Sequence, residues 1–276
     1  MRLAVAIPSS FTSNFDSLIQ RTYAVASIAR FCSIYRVEYI YLYRDPLDPD
    51  LESSRQVTKI LRYLATPPYL RKVLFPIDRD LSYVGIAPPI NLDVYKEWRP
   101  IKDLELPEVR LGTPVKYSRE GTVLDVGLDK PALVEGKLIM GRVYAVRLEK
   151  VTGKYIRGVL ATDVYTGYKV VRVKERLPVF LDKFRGLKIG TSKYGVLYHE
   201  VRDRLARDLD RSEDVLLVFG SHGYGLPEIL GHYGVSPEEV FDYFVNLVTD
   251  QGTDTIRVEE AVAIALSTIR ALSELI

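Results

Sequence analysis

The sequence has few of the residues that build disulfides and metal centres. Its 276 residues include one cysteine, Cys32, and three histidines, His199, His222 and His232. A single cysteine excludes an intrachain disulfide and a cysteine-based zinc cluster. The histidines lack the H-E-x-x-H spacing of a helical metal site. We therefore expect no metal ion.

Long apolar runs are also missing. The N-terminus MRLAVAIPSS has only the short apolar run LAVAI after Arg2, which is shorter than the core of a secretory signal peptide. No stretch reaches the roughly eighteen uninterrupted apolar residues that indicate a membrane-spanning helix. We expect a cytoplasmic protein without a membrane anchor.

Neither sign of charge dominates. The chain has 38 basic and 36 acidic residues, a net charge of +2, and 47% hydrophobic residues. This composition is ordinary for a globular protein, and the length suffices for one large domain or two smaller ones. The balance argues against a purely polybasic binder, although RNA can still bind where basic residues cluster on one face.

Both ends of the chain alternate strands with helices. A β-α-β order favours a parallel sheet. In the first predicted helix, the apolar stripe expected to face the core includes Tyr23 and Ile34. The predicted strands are 3–7, 37–43, 187–189, 215–219 and 244–248, and the predicted helices are 15–35, 55–64, 198–210 and 258–276.

The middle of the chain has a different pattern. Prolines at 88, 89, 100 and 107 mark a linker, and short glycine-bounded segments follow it as far as YKVVRV (168–173). Several short strands without a convincing helix predict a small antiparallel OB-like β-barrel. We expect an α/β domain of residues 1–90 and 165–276, with the barrel inserted as residues 91–164.

Three predicted strands of the α/β domain run into similar turns. LKIGTS, VLLVFGS and VNLVTDQGT each end in glycine and hydroxyl residues. Ligands of open α/β sheets bind beyond the carboxyl ends of the strands, so the three turns could form one pocket. Ordinary turn chemistry is the alternative for each turn alone. Neither a G-x-G-x-x-G fingerprint nor a P-loop is present.

Four stretches together resemble a known family. RTYAVASIARFCSIYRVEYIYLY, YLATPPYLRKVLFPIDRDLSYVGIAPPI, FGSHGYGLPEIL and TDQGTDTIRVEEA are similar to motifs of SPOUT-class S-adenosylmethionine-dependent RNA methyltransferases. The closest likeness is to the branch with a β-barrel insert, the uridine-N3 RNA methyltransferases. The resemblance covers roughly residues 1–90 and 165–276.

The resemblance implies a SPOUT α/β fold with a C-terminal trefoil knot, although true knots are rare. It also implies a homodimer that forms through the knotted part, in which each site borrows residues from the partner subunit. The implied function is methylation of a uridine base at N3, with ribosomal RNA as substrate. The residues implied to bind S-adenosylmethionine are Thr191, Phe219, Gly220, Ser221, Gly225, Val248, Thr249, Gln251, Gly252, Thr253, Thr255 and Ile256.

The third motif departs from the family's pattern Pro-Asn-Gln-Gly-Thr-Glu-Thr-Val-Arg. Thr249 and Asp250 replace its first two residues, and Thr166 stands where the family has tryptophan. Asp250 is our candidate catalytic base, with a helix cap as its alternative role. Arg30, on the first helix, is the other candidate catalytic residue; a solvated helix arginine is the alternative.

Asp254 and Glu259 are the other carboxylates that could serve as the base. Asp254, Glu259 and Glu260 fall where the first turn of a helix favours acidic residues, so a structural role is open for each. His222 lies in the second turn and borders the expected pocket.

Basic residues of the insert are interleaved with tyrosines, as in OB barrels that bind single-stranded nucleic acid. A solvated sheet face is the alternative. The candidate RNA-binding residues are Arg71, Lys72, Lys116, Arg119, Arg142, Arg147 and Arg257.

Two other functions remain open. One is an RNA-binding ribosome-assembly factor that keeps the fold without catalysis, and the other is an α/β enzyme that binds a different nucleotide. An intact S-adenosylmethionine site separates the enzyme from both.

Overall fold

The computed structural model describes residues 1–49 and 51–273. The strands are β1 (Arg2–Pro8), β2 (Val37–Tyr43), β3 (Glu108–Ser118), β4 (Gly121–Asp125), β5 (Ala132–Val134), β6 (Tyr144–Thr152), β7 (Tyr155–Leu160), β8 (Lys169–Arg172), β9 (Leu187–Leu197), β10 (Asp214–Val218) and β11 (Tyr243–Asn246). The helices are α1 (Leu18–Ile34), α2 (Leu51–Leu64), α3 (Pro68–Leu74), α4 (Leu177–Lys183), α5 (Tyr198–Asp210), α6 (Leu226–Gly231), α7 (Pro237–Val240) and α8 (Val258–Ser273).

The chain divides into two compact units. The sheet unit contains residues 1–62, 80–89 and 168 onward, and the barrel unit contains residues 63–79 and 90–167. The barrel unit therefore includes α3, which precedes the segment expected to form the insert.

The sheet unit is built on six parallel strands in the order β11-β9-β10-β1-β2-β8. Ala4, Ala6 and Leu216 belong to a buried cluster with apolar side chains of α4 and α6. The alternate residues Leu3 and Val5 are also fully buried. Both faces of the sheet are covered, as parallel sheets require.

Strand β9 is longer than the sequence indicated. The prediction of a short strand over 187–189 was wrong, because β9 continues to Leu197. Its pairing with β11 shifts register: Phe244 lies opposite Gly190, but Val245 lies opposite Val196. Residues 191–195 therefore protrude from the ladder without ending the strand. Because the segment contains residues typical of turns, the sequence alone predicted a loop after residue 189.

The YKVVRV segment also lies elsewhere than expected. We grouped it with the short strands of the insert, but β8 pairs in parallel with β2 and is an edge strand of the sheet. A four-residue strand with exposed alternate positions looks the same at the edge of a sheet and in a barrel.

Helix α1 begins at Leu18 because Ser17 caps it, with its hydroxyl accepting from the Gln20 N–H at 3.3 Å. Tyr23 and Ile34 were wrongly predicted to face the core, since they are 59% and 53% exposed. Successive residues of a helix are about 100° apart, which puts both on the side opposite the buried Val25.

The remaining helix boundaries differ little from the predictions. Helix α2 begins at Leu51 rather than at residue 55, and α5 has the predicted bounds. Helix α8 begins at Val258 as predicted, and the predicted end at residue 276 lies outside the described residues.

The barrel unit contains a closed five-stranded barrel in the order β3-β4-β5-β7-β6. One pair, β5 with β7, is parallel, so the barrel is not wholly antiparallel as expected. Its interior is a cluster of small and branched side chains, among them Leu124, Val146 and Ile156. Alternation along each strand fills the interior of such small barrels.

The parallel sheet and the inserted closed barrel confirm the expected fold class. The trefoil knot stays a prediction. Within residues 1–49 and 51–273, no helix has both the length and the apolar character needed to cross a membrane.

Candidate functional site

A cavity of about 300 Å³ lies in the sheet unit, beside the protruding residues 191–195 of β9 and beyond the carboxyl ends of β10 and β11. This is the edge where open α/β sheets bind ligands, and the volume is in the range of small-molecule sites. Nine of the twelve residues predicted to hold the cofactor line it: Thr191, Phe219, Gly220, Ser221, Gly225, Val248, Gln251, Thr255 and Ile256.

A hydrogen bond from the end of β2 holds the wall after β10 in place. Phe219 is 2% exposed, and its carbonyl oxygen accepts a hydrogen bond of 2.5 Å from the Tyr43 hydroxyl. Burial raises the pKa of Tyr43 well above its ordinary value, so the phenol remains a donor. Tyr43 thus fixes the peptide at which the strand turns into the wall.

The turn that follows closes on itself. The backbone N–H of Ser221 donates to the Tyr224 carbonyl at 2.8 Å, and the Tyr224 N–H donates to the Ser221 hydroxyl at 3.2 Å. A side chain at Gly220 would place its Cβ 2.9 Å from the Gly225 Cα. Only glycine lets the two sides of this turn approach so closely.

The wall after the first part of β9 is the protruding segment 191–195. The Thr191 hydroxyl donates to the Val218 carbonyl at 3.2 Å, which ties the protrusion to β10. A Cβ at Gly195 would lie 2.6 Å from the Val245 carbonyl carbon. The chain can therefore rejoin β11 only because residue 195 has no side chain.

The third wall is the loop after β11. The Gln251 side-chain amide donates to the Thr253 carbonyl at 2.5 Å, and the Thr253 hydroxyl donates to the Thr255 carbonyl at 3.0 Å. Asp250 has a φ of 56°, a conformation that aspartate tolerates better than most residues. A Cβ at Gly252 would meet nothing within 4 Å.

Several predicted residues do not line the cavity. Thr249, Gly252 and Thr253 belong to the third loop but are not in its lining, and the same holds for Asp250. Arg30 donates to the Pro89 carbonyl and is also outside the lining.

The cavity also has charged and aromatic residues that sequence reasoning did not assign to it. Lys193 and Tyr194 come from the β9 protrusion, Tyr224 and Glu228 from the turn after β10 and the start of α6, and Asn246 from the end of β11. Lys193 and Tyr194 directly follow the quoted stretch LKIGTS. Their side chains could have been suspected from their position beside Thr191.

Of the two other candidate bases, Asp254 lines the cavity, whereas Glu259 does not, and neither does its neighbour Glu260. Burial raises the pKa of Glu259, and the nearby Arg257 and His222 act in the opposite direction. A Glu260 oxygen accepts from the Arg257 backbone N–H at 2.9 Å, as expected at a helix start. His222 lines the cavity and is exposed.

The cations predicted to bind RNA fall into two groups. In the barrel unit, Lys116, Arg119 and Arg142 are exposed, and within the described part of the chain they form no ion pair. Arg147 instead makes bonds of 2.8 and 2.6 Å to both oxygens of Asp163 and holds the pKa of that carboxyl below its ordinary value.

Arg71, Lys72 and Arg257 have different surroundings. The Arg71 guanidinium lies 4.7 Å from the centre of the Tyr63 ring, and its Nε donates to the Thr66 carbonyl at 2.9 Å. Lys72 is exposed. Arg257, in the sheet unit, lies 5.8 Å from the centre of the Phe15 ring.

The positions of the histidines, the cysteine and the carboxylates also bear on metal binding. In the part of the chain that the structure describes, no group of three or more histidines, cysteines or carboxylates is placed to hold a metal ion.

The geometry defines a class: an α/β protein with a cavity of small-molecule size at one edge of its parallel sheet and an inserted β-barrel. The family is established by the sequence of the whole chain. Residues 2–269 match the model of a family described as "Putative RNA methyltransferase", and the chain belongs to that family. The resemblance inferred from the motifs is thereby confirmed.

Individual relatives cover nearly all of the chain. An uncharacterized protein of Halobacterium salinarum is 29% identical over 98% of this chain and 99% of its own length. A mouse protein named 28S rRNA (uridine-N(3))-methyltransferase is 30% identical over 97% of this chain and 76% of its own length. A solved Legionella pneumophila protein, described as a "putative methyltransferase" with bound SAM, covers 98% of this chain and 66% of its own. Its 10% identity and TM-score of 0.41 are too low to support a conclusion about this chain.

Proposed function

We propose that the protein transfers a methyl group from S-adenosylmethionine to N3 of a uridine in ribosomal RNA. The cavity formed by the protrusion of β9 and the loops after β10 and β11 is the observation that carries this proposal. Membership of an RNA methyltransferase family and the name of the mouse relative give it direction. We expect the protein to act in the cytoplasm.

The residues around the cavity fit the chemistry of S-adenosylmethionine. Val248 and Ile256 are half-buried in the lining and offer apolar surface for a flat adenine ring. Among the lining residues, the carboxylates Glu228 and Asp254 suit a ligand with a positively charged sulfur. When bound, this cofactor supplies an electrophilic methyl group.

The protein's own task is to orient the uridine and remove its proton. N3 of neutral uracil carries a hydrogen, so N3 can take up the methyl only when that proton leaves. We propose Asp250 as the acceptor, with Asp254 as the alternative in the same loop. General bases in enzymes accelerate such steps by about 10²- to 10⁴-fold.

Arg30 fits the proposal through a dimer. It does not line the cavity of its own chain, and its guanidinium donates to the Pro89 carbonyl. We propose that the protein is a homodimer and that Arg30 serves the partner's site. The exposed Ile19, Tyr23 and Ile34 on the same helix provide apolar surface for such an interface.

The barrel unit is proposed to contact the RNA. Lys116, Arg119 and Arg142 are free to meet phosphates, whereas Arg147 would first have to leave Asp163. Neutralising phosphates makes RNA binding weaker as salt concentration rises. A triple Ala variant of the three exposed cations should reduce that salt dependence.

Calorimetric titration with S-adenosylmethionine is the first test. We expect one site per chain, with affinity lost in a Gly220→Val variant that fills the wall. Mass-spectrometric mapping of ribosomal RNA from cells with and without the protein then identifies the product. We expect one N3-methyluridine to disappear without the protein.

The two measurements separate the possible functions. Absence of cofactor binding at saturating concentration would exclude the enzyme and favour the non-catalytic assembly factor. Cofactor binding together with loss of a different methyl mark would keep the class of enzyme and reject uridine N3 as its target.

A further inference from the structure

The protruding segment of β9 ends in an unusually exposed aromatic residue. Residues 191–195 leave the register between β9 and β11, and Tyr194 lies near their tip. Tyr194 is 69% exposed, more than any other tyrosine within residues 1–49 and 51–273, and it also lines the cavity. Tyr194 therefore lies at the mouth of the site, where it borders the cavity while most of the residue faces solvent.

The backbone around Tyr194 is held at several points. The Tyr194 N–H donates to the Ser192 hydroxyl at 3.2 Å, and the side-chain amide of Asn246 donates to the Lys193 carbonyl at 3.1 Å. On the far side, Gly195 packs against the backbone of Val245. An exposed loop with these contacts presents its side chain in a fixed place, which lowers the entropy cost of binding a partner.

Packing within this chain does not explain why residue 194 is a tyrosine. Apolar burial stabilises a fold in proportion to the area removed from water, and most of the Tyr194 side chain remains in water. The contacts that fix the protrusion come from the backbone and from Ser192, Lys193 and Asn246, so they would persist without the phenol ring.

A cation accompanies the ring. The Lys193 ammonium lies 5.2 Å from the centre of the Tyr194 ring, and it donates to the Asp254 carbonyl at 3.4 Å. The pair links the first wall of the cavity to the third. Together the two side chains offer a flat aromatic face with a positive charge beside it, which is the combination that binds unpaired bases and their phosphates.

We propose that Tyr194 is the platform on which the target uracil stacks, with Lys193 as the cation that holds the ring and meets the nucleotide's negative charge. This inference rests on the proposed function and deepens it, because it identifies an extruded, unpaired nucleotide as the substrate. Enzymes that modify a base take it out of its stack and hold it between aromatic or apolar surfaces. A fixed platform at the mouth would align the base with the interior of the cavity.

Ultraviolet cross-linking tests the contact without requiring methyl transfer. The full-length protein is irradiated with a short oligouridylate in the presence of S-adenosylhomocysteine, and cross-linked peptides are identified by mass spectrometry. We expect a uridine adduct on the peptide that contains Tyr194. Adducts confined to other peptides would overturn the proposal, whether or not the protein proves to be a methyltransferase.

Variants of Tyr194 measure what the stacking contributes. For Tyr194→Ala, kcat/KM for RNA should fall by about 5- to 150-fold, the range expected from the loss of one stacked base. Tyr194→Phe should stay within about twofold of wild type, while the non-aromatic Tyr194→Leu should resemble the alanine variant. Tyr83→Ala is the matched control, since Tyr83 is 43% exposed and lies outside the cavity lining.

Two further measurements on Tyr194→Ala test other roles for the tyrosine ring. The dissociation constant for S-adenosylmethionine should remain within about twofold in Tyr194→Ala, and light scattering should show an unchanged oligomer. A selective loss of cofactor affinity would assign the ring to the cofactor, and dissociation of the oligomer would assign it to a subunit contact. Either result would overturn the proposal.

Discussion

Polar residues are treated in opposite ways in the barrel unit and at the cavity of the sheet unit. In the barrel unit, Arg110 is fully buried, and its guanidinium donates to the carbonyls of Val126, Glu97 and Gly127 and to the carboxylate of Glu108. The Tyr69 ring lies 5.2 Å from the Arg110 guanidinium carbon. This arginine has structural partners on every side and none of its charge is presented to a ligand.

The cavity shows the reverse. Lys193, His222 and Asp254 line it and remain exposed. Glycines and hydrogen bonds from short polar side chains such as Thr191 and Thr253 fix the walls around them. The Lys193 ammonium makes a long hydrogen bond of 3.4 Å to the Asp254 carbonyl, in contrast to the several close partners of Arg110. The comparison teaches that the number of satisfied partners distinguishes a structural cation from one available for function.

The largest effect should follow from breaking the buried cluster. Replacing Arg110 with methionine removes the guanidinium donor from the carbonyls of Val126, Glu97 and Gly127 and leaves Glu108 with one partner fewer. Because this breaks a buried ion pair, we expect a loss of about 4 kcal/mol in the free energy of unfolding. Guanidinium unfolding followed by the fluorescence of Trp98, the only tryptophan, reports on this unit.

Arg119→Met is the control for that variant, because Arg119 is exposed on the same unit. It should change the free energy of unfolding by no more than about 0.5 kcal/mol. Equal effects of the two substitutions would contradict the distinction between the two kinds of arginine.

The second largest effect should come from the carboxylates of the loop after β11. Asp250→Asn removes the proposed proton acceptor and keeps a residue that tolerates positive φ. We expect kcat to fall by about a hundredfold with little change in stability. Asp254→Asn should cost less. If only the second variant loses activity, the base is Asp254, the carboxylate that lines the cavity.

A smaller effect should come from the glycines that form the walls. Gly195→Ala forces a Cβ against the Val245 backbone, where neither side can move independently, and we expect a loss of about 2 kcal/mol in stability. Gly252→Ala meets open space and should be nearly neutral. Thermal unfolding of both variants decides, and equal destabilisation would show that the register shift in β9 does not depend on Gly195.

Much of this architecture was predictable from local patterns. Continuous apolar runs at β1 and β10, and the helical periodicity of α5, depend on neighbouring residues and were predicted closely. The register shift of β9 and the pairing of β8 with β2 depend on residues far away in the chain, which no local pattern records. The short helices α4, α6 and α7 were missed, although each has proline in its first turn.

The site divides in the same way. The glycine and hydroxyl residues after the three strands predicted the cavity, because turn chemistry is local. Tyr194, Glu228 and Asn246 lie within or beside the quoted stretches, but their residue types gave no turn signal, so the fold was needed to show that they line the cavity. Arg147 illustrates the converse, since its basic character suggested RNA binding while Asp163, its ion-pair partner, could not be identified from spacing.

Glu259 is half-buried, between the fully buried Arg110 and the exposed residues of the cavity. Its replacement should have the smallest effect on stability. Burial raises the pKa of its carboxyl, so the folded state holds this proton more tightly than the unfolded chain does. The contribution of Glu259 to stability is therefore fully present below the unfolded pKa, and it is lost as pH rises through the raised pKa of the folded state. Glu259→Gln abolishes this loss, so the variant should gain stability over wild type as pH rises from about 4 to 7, by less than about 0.5 kcal/mol. Urea unfolding across that range measures the difference.

Glu260→Gln is the control for this variant. It shows how much the free energy of unfolding changes when a neutral side chain replaces a carboxylate in the same first turn of α8. A difference between Glu259→Gln and wild type that shrinks with rising pH would show that the carboxylate has a stabilising partner, as Arg110 has in the barrel unit.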